Sequence, residues 1–326
     1  MNSIKNIGVL TSGGDSPGMN AAIRAVVRTG IYHNLKVFGI YQGYDGLING
    51  KFKELKSTDA ANIIQRGGTI LKSARSEEFK TKKGMEKAYK NLVKKGIDAL
   101  IVIGGDGTFT GALEFDNIYN FPIIGLPGTI DNDLYGTDFT IGYDTAINTV
   151  VEAVDKIKDT AGSHNRLFFI EVMGRDAGFI ALRSGIAVGA EDILIPETET
   201  HVDELIKILE NNYSHNKTSG IIIVAEGDDA GGAYEIAKKV EEKFNRYNTR
   251  VTVLGHIQRG GSPTCMDRVL ASSLGYEAVE ALLKGEKGIM VGRVNNNITY
   301  TPFSKSIKHH QKIKKELLEM ARVLSI

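Results

Sequence analysis

Three aspartates, Asp106, Asp131 and Asp133, lie in or beside glycine-rich segments that could bind phosphate. Glycine lets the backbone approach a ligand closely, and at a strand-to-helix junction its N–H groups meet the positive end of a helix. A carboxylate beside phosphate is repelled unless a cation intervenes or the carboxylate serves as a base. Mg²⁺ commonly uses one or two carboxylates with phosphate oxygens and waters. A single loop aspartate is more often a turn or capping residue, but three in such segments favour chemistry on a phosphate group.

Two of the glycine-rich segments precede predicted helices, one at Gly13-Gly14 and one from Gly104 to Gly111. Either one alone is explained equally well as a tight strand-to-helix turn. Neither contains GxxxxGK[ST], so a Walker-type ATPase is disfavoured. The pattern Gly105-x-Gly107-x-x-x-Gly111 matches a dinucleotide-binding loop only loosely, because its spacing is one residue too long and no ribose-binding acid follows.

Arginines near the glycine-rich and strand-end segments indicate an anionic substrate, because a guanidinium binds phosphate through two parallel hydrogen bonds. They are Arg75, Arg166, Arg175, Arg250 and Arg259. Any single one of them would more often be a solvated surface charge. His256 is explained equally well as a substrate hydrogen-bond donor or as a structural histidine.

The elements that must position these residues are short apolar segments alternating with amphipathic helical patterns. Strands are predicted at 4–10, 36–41, 99–103, 123–126, 167–172, 221–225 and 251–254. Continuous apolar strands alternating with helices predict an α/β fold with parallel sheets covered on both faces. Glycine and polar residues follow the carboxyl ends of at least six of these strands, which is the edge where open α/β sheets bind ligands.

Composition excludes several classes of protein. The 326 residues carry 40 Lys+Arg against 39 Asp+Glu, a net charge of +1, so a general nucleic-acid binder is disfavoured. The lone cysteine, Cys265, excludes an internal disulfide framework. Neither a signal peptide nor a membrane span is visible in the sequence. We therefore expect a soluble cytoplasmic protein that binds neither nucleic acid nor membrane.

Five segments together resemble the bacterial ATP-dependent 6-phosphofructokinases. They are LTSGGDSPGMN at 10–20, GGDGT at 104–108, PGTIDND at 127–133, MGR at 173–175 and GHIQRGGSP at 255–263. The likeness runs from the first strand to about Gly285 in the family's order. GGDGT alone is also seen in NAD kinases and lipid kinases, whereas its combination with the Asp131 and His256 segments is much more specific.

The resemblance implies two doubly wound, parallel-sheet (Rossmann-like) domains with the active site in the cleft at the carboxyl ends of the strands. Residues 1–140 plus 255–305 would form the larger, ATP-binding domain. Residues 141–254 plus 306–326 would form the smaller, fructose 6-phosphate-binding domain. The implied reaction is transfer of the ATP γ-phosphoryl group to the 1-hydroxyl of fructose 6-phosphate, with Mg²⁺ as cofactor.

Roles carry over from the family by residue match. Asp131 would be the base, and Asp106 would hold Mg²⁺, helped by Asp133 or through water. The group being transferred would be positioned or stabilised by Gly14, Arg75, Thr129 and Arg175. ATP would contact Gly14, Tyr44, Arg75, Ser76, Asp106, Gly107, Thr108 and Gly111. The sugar phosphate would contact Thr129, Asp131, Asp133, Arg166, Met173, Gly174, Arg175, Glu226, Arg250, His256 and Arg259. Because Arg166 and Arg250 match arginines that reach a neighbouring subunit's site, a homotetramer is implied.

Two glycines favour ATP over pyrophosphate as the phosphoryl donor. Pyrophosphate-dependent relatives usually have Asp at the position of Gly107 and Lys at the position of Gly128. A carboxylate at the first position would crowd the α-phosphate of a nucleotide.

The residues that match the family's effector site for ADP or phosphoenolpyruvate are only partly retained. The matches are Arg24, Arg28, Lys158, Glu191 and Lys217, with Lys158 in place of a usual arginine. Lysine cannot make the two parallel hydrogen bonds by which an arginine guanidinium binds phosphate. Departures from the family's usual residues occur at Ser57, Ala61, Asn62 and His215, and near the adenine loop at Ser76 and Lys80. We therefore predict weakened or altered effector control.

Three other functions stay open at this point. The chain could phosphorylate another sugar phosphate or NAD with the same loops. It could also bind nucleotides or sugar phosphates without catalysis, although Asp106 and Asp131 are both present. A dehydrogenase is the most distant alternative, because the dinucleotide pattern is imperfect.

Overall fold

The computed structural model describes residues 4–217 and 219–325, which divide into two compact units. Unit 1 comprises residues up to 130, 134–145 and 259–311, and unit 2 comprises 131–133, 146–258 and the residues from 312 onwards. The domain boundaries predicted from the sequence stay a prediction.

The strands and helices alternate along most of the chain. The strands are β1 (Asn6–Thr11), β2 (Lys36–Ile40), β3 (Phe52–Leu55), β4 (Ala99–Gly104), β5 (Ile123–Pro127), β6 (Arg166–Val172), β7 (Asp192–Leu194), β8 (Gly220–Ala225), β9 (Asn248–Val253), β10 (Ile289–Val294) and β11 (Asn297–Pro302). The helices are α1 (Met19–Tyr32), α2 (Gly43–Asn49), α3 (Lys82–Lys95), α4 (Asp106–Tyr119), α5 (Tyr143–Gly162), α6 (Phe179–Ala187), α7 (Val202–Ser214), α8 (Ala233–Lys243), α9 (Cys265–Leu283), α10 (Phe303–Ser306) and α11 (Lys315–Leu324). Short 3-10 helices lie at Glu78–Lys80 and Gly255–Arg259.

Within its described residues, unit 1 contains a seven-stranded sheet in the order β11-β10-β5-β4-β1-β2-β3. The strands from β10 to β2 are parallel, and each edge strand, β3 and β11, pairs antiparallel to its neighbour. All six residues of β4 are buried. Ile101 and Ile103 pack into a core that contains residues of α1 and α9. Leu100 and Val102 pack into a second core with residues of α3 and α4. Because side chains alternate along a strand, both faces of this sheet are covered by helices.

Unit 2 contains a parallel sheet in the order β7-β8-β6-β9. All six residues of β8 are buried, and its Ile222 and Val224 share a core with apolar residues of α7 and α8. Parallel pairing requires crossover connections, which is why strands and helices alternate here as well.

The α/β fold with parallel sheets expected from the sequence is confirmed. The seven predicted strands correspond to β1, β2, β4, β5, β6, β8 and β9, with shifts of up to three residues at their ends. Four strands were not predicted from the sequence: β3, β7, β10 and β11. Most residues of β3 and β11 are partly or fully exposed, so neither edge strand has the continuous apolar pattern of a buried strand. In the described ranges, no helix has the length and apolar character needed to cross a membrane.

Candidate active site

The loops after β1, β4 and β5 begin side by side in unit 1. Thr11 is in register with Ile103, and Gly104 with Pro127, so the three strands end at nearly the same level. The chain leaves β1 towards β2 on one side, whereas β4 lies on its other side. Ligands of open α/β sheets bind at such a reversal of strand order. The sheet therefore brings together the three glycine-rich segments that stood apart in the sequence.

The loop after β1 packs closely against the start of α4. Thr108 Oγ1 donates a hydrogen bond to the Ser12 carbonyl at 3.2 Å, and Ser73 Oγ donates to the Gly13 carbonyl at 2.5 Å. A Cβ on Gly104 would lie 2.6 Å from the Ser12 carbonyl oxygen. Only glycine permits this approach, so Gly104 is required for the contact between the two loops.

Asp106 is the first residue of α4, where the helix has its positive end. Its Oδ1 is buried and accepts no hydrogen bond from any residue of the described ranges. A buried carboxylate oxygen without a partner is unfavourable, and a divalent cation would satisfy it. No group of three His, Cys, Asp or Glu side chains in those ranges could hold a metal ion. The single unpartnered carboxylate oxygen fits Mg²⁺, which commonly uses one or two carboxylates with phosphate oxygens and waters.

Thr129 lies beside the start of α4. A Cβ built on Gly105 would lie 3.6 Å from the Thr129 Cβ, and the Thr129 side chain is buried. Unit 1 thus brings Thr129, Asp106 and the β1 loop to one edge of its sheet.

Tyr44 is buried beneath the first turns of α4. Its hydroxyl donates to the Thr108 carbonyl at 2.6 Å, and its ring stacks on Phe79 with 4.0 Å between ring centroids. A Cβ added at Gly111 would lie 3.1 Å from Tyr44 Cε2. Burial raises the pKa of Tyr44 far above its usual range, so the hydroxyl stays protonated as a donor. The structure gives Tyr44 a supporting contact with α4, and its contact with a nucleotide stays a prediction.

The other unit 1 residues that are predicted to bind ligand lie around the β1 loop and the 3-10 helix Glu78–Lys80. Arg259 Nη1 donates to the Asp15 carbonyl at 3.3 Å and would lie 2.7 Å from a Cβ on Gly14. Ser76 Oγ accepts from Phe79 N at 3.3 Å. The Arg75 side chain is exposed. Gly14 therefore leaves room for the Arg259 guanidinium beside the candidate phosphate loop.

In unit 2, the turns after β6 and β8 interlock. Glu226 Oε1 accepts hydrogen bonds from Gly174 N at 3.3 Å and Arg175 N at 2.7 Å. Arg175 has φ +57, a left-handed conformation that costs free energy for a residue with a side chain. A Cβ on Gly227 would lie 2.1 Å from the Arg175 carbonyl oxygen. Glu226 thus stabilises the turn that presents Arg175.

Gln258 also supports this turn, and sequence analysis missed it. Its side chain is fully buried, its Oε1 accepts from Met173 N at 3.2 Å, and its Nε2 donates to the Gly255 carbonyl at 3.0 Å. Gln258 therefore joins the Met173–Arg175 turn to the segment that bears the exposed His256. Its place in the 255–263 segment, two residues after His256, is the signal that could have drawn attention to it.

Gln258→Leu is expected to reduce the free energy of unfolding by about 2 kcal/mol, because it removes the hydrogen bonds to the Met173 N–H and the Gly255 carbonyl, each worth about 1 kcal/mol. Urea denaturation of both proteins measures the difference. Ile257→Ala, at the neighbouring exposed position, is the control and should change stability little. An unaltered urea midpoint for Gln258→Leu would contradict this role of the Gln258 amide.

The segment Asp131–Asp133 belongs to unit 2. Asp131 is 5% exposed, and Asp133 is partly buried. Asn132 between them has φ +55, a conformation that asparagine tolerates better than most residues. The backbone between the two aspartates therefore adopts the left-handed conformation.

Arg166 and Arg250 lie on neighbouring strands of unit 2, β6 and the edge strand β9. Arg166 Nη1 donates to Thr160 Oγ1 at 3.3 Å, and Arg250 Nη1 donates to the Thr249 carbonyl at 2.7 Å. The Arg166 Nε is buried and has no hydrogen-bond partner among the described residues. The contacts of both arginines with a neighbouring subunit stay a prediction.

The predicted effector residues are distributed over both units. Arg24 and Arg28 lie on α1, where burial and the charge of Arg28 lower the pKa of Arg24. In unit 2, Lys217 Nζ lies 2.8 Å from Glu191 Oε2, and Lys158 donates to the Val188 carbonyl. Effector binding at these residues stays a prediction.

Comparison with known proteins gives a consistent result over the whole chain. The sequence profile described as phosphofructokinase matches residues 6–282. The chain is 56% identical, over the full length of both chains, to a Bacteroides thetaiotaomicron protein named ATP-dependent 6-phosphofructokinase 2. It is 54% identical over 323 residues to the Thermus thermophilus ATP-dependent 6-phosphofructokinase 1, covering 99% of this chain and all of that one.

Solved structures show the same fold. The Saccharomyces cerevisiae phosphofructokinase superposes with a TM-score of 0.90 at 39% identity, over 99% of this chain and 48% of the yeast chain. This chain thus spans about half the length of the yeast one. A pyrophosphate-dependent phosphofructokinase from Marinobacter aquaeolei superposes with a TM-score of 0.85 at 22% identity, over 98% of this chain and 91% of that one. At that identity the likeness is one of fold alone.

Proposed function

Because the chain belongs to the phosphofructokinase family, we propose that it is an ATP-dependent 6-phosphofructokinase. It transfers the γ-phosphoryl group of ATP to the 1-hydroxyl of fructose 6-phosphate and releases fructose 1,6-bisphosphate and ADP. The observation that carries the proposal is the edge of the unit 1 sheet. There the β1 loop, Thr129 and the unpartnered buried oxygen of Asp106 meet at the start of α4.

The nucleotide phosphates bind at this edge, where glycine backbone and the first turn of α4 offer N–H donors. Asp106 would hold Mg²⁺, with Asp133 assisting directly or through water. When bound, that ion neutralises charge on the phosphate oxygens. Arg75 and Arg175 supply further positive charge, and the exposure of both side chains leaves them accessible to a ligand.

Asp131 acts as the base for the acceptor hydroxyl. As the sugar oxygen forms its bond to the γ-phosphorus, the hydroxyl proton passes to the Asp131 carboxylate. The bond from the γ-phosphorus to the bridging oxygen breaks, and ADP leaves with the electron pair. Positioning and electrostatic stabilisation provide most of the rate in such transfers. In unit 2, the Glu226 and Gln258 contacts hold the Met173–Arg175 turn, and this supports a positioning role for Arg175.

The backbone at Gly107 supports ATP as the donor. Gly107 is exposed, and a Cβ there would meet no atom within 4 Å. The space beside it is therefore open to a nucleotide. Gly128 has no such open space beside it, because a Cβ there would lie 2.9 Å from Ile103 Cγ2.

Gly107→Asp is expected to raise the KM for ATP by at least about tenfold, because the added carboxylate repels the nucleotide phosphates at short range. The fold should be unaffected, since the site has room for the side chain. Steady-state kinetics with varied ATP measure the change, and Gly107→Asn is the uncharged control with a smaller effect. An unchanged KM for ATP in Gly107→Asp would remove Gly107 from the nucleotide site.

The experiment that tests the proposed function is an assay of the purified protein with Mg²⁺ and fructose 6-phosphate. ATP and pyrophosphate are supplied in parallel, and fructose 1,6-bisphosphate is measured. Product with ATP alone is expected. Product with pyrophosphate alone would overturn the donor assignment, and turnover of NAD but not of fructose 6-phosphate would overturn the acceptor.

We also propose a homotetramer in which Arg166 and Arg250 reach a neighbouring subunit's site. The effector site binds ADP or phosphoenolpyruvate with altered strength, because Lys158 already donates to Val188 and Lys217 is paired with Glu191. Repeating the assay with phosphoenolpyruvate and ADP measures this response.

A further inference from the structure

Asp267 is a fully buried carboxylate that the proposed chemistry does not use. It lies in the first turn of α9. Its Oδ1 accepts from Gly142 N at 2.8 Å, and its Oδ2 accepts from Thr145 N at 2.8 Å and from Thr145 Oγ1 at 2.5 Å. A residue more than 120 positions away thus satisfies backbone donors at the start of α5, which a helix cannot satisfy for itself.

The capping is reciprocal between the two helices. Thr264, the N-cap of α9, donates from its Oγ1 to Asp144 Oδ2 at 2.7 Å and from its N to Thr145 Oγ1 at 3.0 Å. Four side chains from two helix starts therefore form one hydrogen-bonded cluster, which consists of Asp144, Thr145, Thr264 and Asp267. All four belong to unit 1.

This cluster lies directly after the loop that bears the proposed base. Residues 128–141 form that loop, and its two ends pair with each other as an isolated bridge between Gly128 and Ile141. Ile141 N also donates to the Pro127 carbonyl at 2.8 Å. One end of the loop continues from β5, and the other is held by the Asp267 contacts to Gly142 and Thr145. The loop contains Thr129, Asp131 and Asp133.

The proposed phosphate-binding loop after β1 packs against Ile141, Gly142 and Asp267. A Cβ on Gly18 would lie 2.7 Å from Ile141 Cγ2 and 3.6 Å from Asp267 Cβ. A Cβ on Gly142 would lie 2.6 Å from Ser16 Cβ. Gly18 and Gly142 have φ +111 and +102, which glycine adopts without strain. A shift of Gly142 would therefore disturb the loop after β1 as well.

We propose that Asp267 is a positioning residue for catalysis, whose carboxylate fixes the end of the 128–141 loop and thereby the geometry of Thr129 and Asp131. This inference rests on the proposed phosphofructokinase function. Asp267 touches neither substrate nor nucleotide, and it acts through the backbone of Gly142 and the side chain of Thr145.

The electrostatics of the cluster make this role depend on pH. Burial raises the pKa of Asp267 to about 6, opposed by the hydrogen bonds from Thr145 and Gly142, while the charge of Asp144 raises it further. Well above pH 6 the carboxylate is ionised and accepts all three hydrogen bonds. Because the pKa is higher in the folded than in the unfolded state, the folded state binds the proton more tightly. This group therefore contributes most to stability below the unfolded pKa, and its contribution is lost as the pH rises through about 6.

The test compares Asp267→Asn with the wild type in the fructose 6-phosphate assay. The amide cannot accept from all three donors, and one of its own N–H groups faces them. We expect kcat to fall about 100-fold, because misplacing a catalytic group by about 1 Å can lower the rate by that factor. The KM values for ATP and fructose 6-phosphate should both stay within about threefold. The control is Asp116→Asn, the same change at a partly buried carboxylate of unit 1 outside the cluster, and it should leave kcat within about twofold. If the wild type makes no product, the proposed function fails and not this inference.

A pH profile separates positioning from general damage to the fold. Below the pKa of Asp267, about 6, its carboxylate is largely protonated, so the wild type itself should lose part of the cap as the pH falls. The ratio of wild-type to Asp267→Asn kcat should thus decrease from pH 8 to pH 5.5. A ratio near 1 at pH 8, where the carboxylate is ionised, would overturn the positioning role.

Thr145 provides a second test that does not require Asp267→Asn to fold. Thr145→Val removes the hydroxyl that donates to Asp267, whereas Thr145→Ser keeps it. We expect Thr145→Val to lower kcat about tenfold, because the 128–141 loop end then loses one of the contacts through which Asp267 positions it, and Thr145→Ser to restore kcat. Equal kcat for the two variants would overturn the inference.

Discussion

Asp131→Asn is expected to lower kcat by about three orders of magnitude while the KM values for ATP and fructose 6-phosphate stay within about threefold. An asparagine has nearly the shape of the aspartate but cannot accept the proton of the attacking hydroxyl. General base catalysis by one side chain contributes about 10² to 10⁴ in rate. Because the proton moves only as the reaction proceeds, the loss appears in kcat and not in ground-state binding.

Coupled assays of fructose 1,6-bisphosphate formation measure kcat, and calorimetric titration measures binding of fructose 6-phosphate to the variant. Asp155→Asn, an exposed aspartate on α5 of the same unit, is the matched control and should keep full activity. Retention of wild-type kcat by Asp131→Asn would remove this residue from the role of base.

Asp106→Asn is expected to lower kcat/KM for ATP by about 100-fold at 1 mM Mg²⁺, a loss of roughly 3 kcal/mol of transition-state stabilisation. The buried Oδ1 of Asp106 has no hydrogen-bond partner among the described residues. A bound cation would satisfy this oxygen. The neutral amide is a weaker ligand for a hard cation. The variant should therefore need a higher Mg²⁺ concentration for half-maximal activity.

Titration of activity with Mg²⁺ at saturating ATP tests this second expectation. Asp116→Asn, on the same helix near its carboxyl end, is the control and should give the wild-type Mg²⁺ dependence. If Asp106→Asn kept that dependence as well, its carboxylate would be a helix-capping group and not a metal ligand.

The sequence determined the sheets' central strands, with the exception of β10, and the residue types at their carboxyl ends. A buried parallel strand such as β4 is apolar at every position, because both of its faces are covered by helices. That pattern is local and therefore visible in the sequence. Gly104 ends this strand at the point where a Cβ would lie 2.6 Å from the Ser12 carbonyl oxygen of the β1 loop.

The edge strands β3 and β11 were not apparent in the same way. Each has a solvent-facing side, so its residues are partly polar, and its identity as a strand depends on pairing with β2 or β10. Pairing partners are supplied by tertiary structure and leave no strong local pattern.

The contacts that hold the candidate site were equally invisible in the sequence. The contact of Glu226 with the sugar phosphate stays a prediction, and in the fold its Oε1 accepts two backbone hydrogen bonds from the Gly174–Arg175 turn. Asp267 and Gln258 were not singled out at all, although each is fully buried and bonded to distant backbone groups.

The sequence by itself thus determined the family, the α/β fold and the motifs that carry the proposed chemistry. Only the tertiary structure decided which side chains hold those motifs in place. The physical reason is that burial and strand formation follow from the local order of apolar residues. A hydrogen bond between Asp267 and Gly142, by contrast, exists only after two segments 125 residues apart in the chain have packed together.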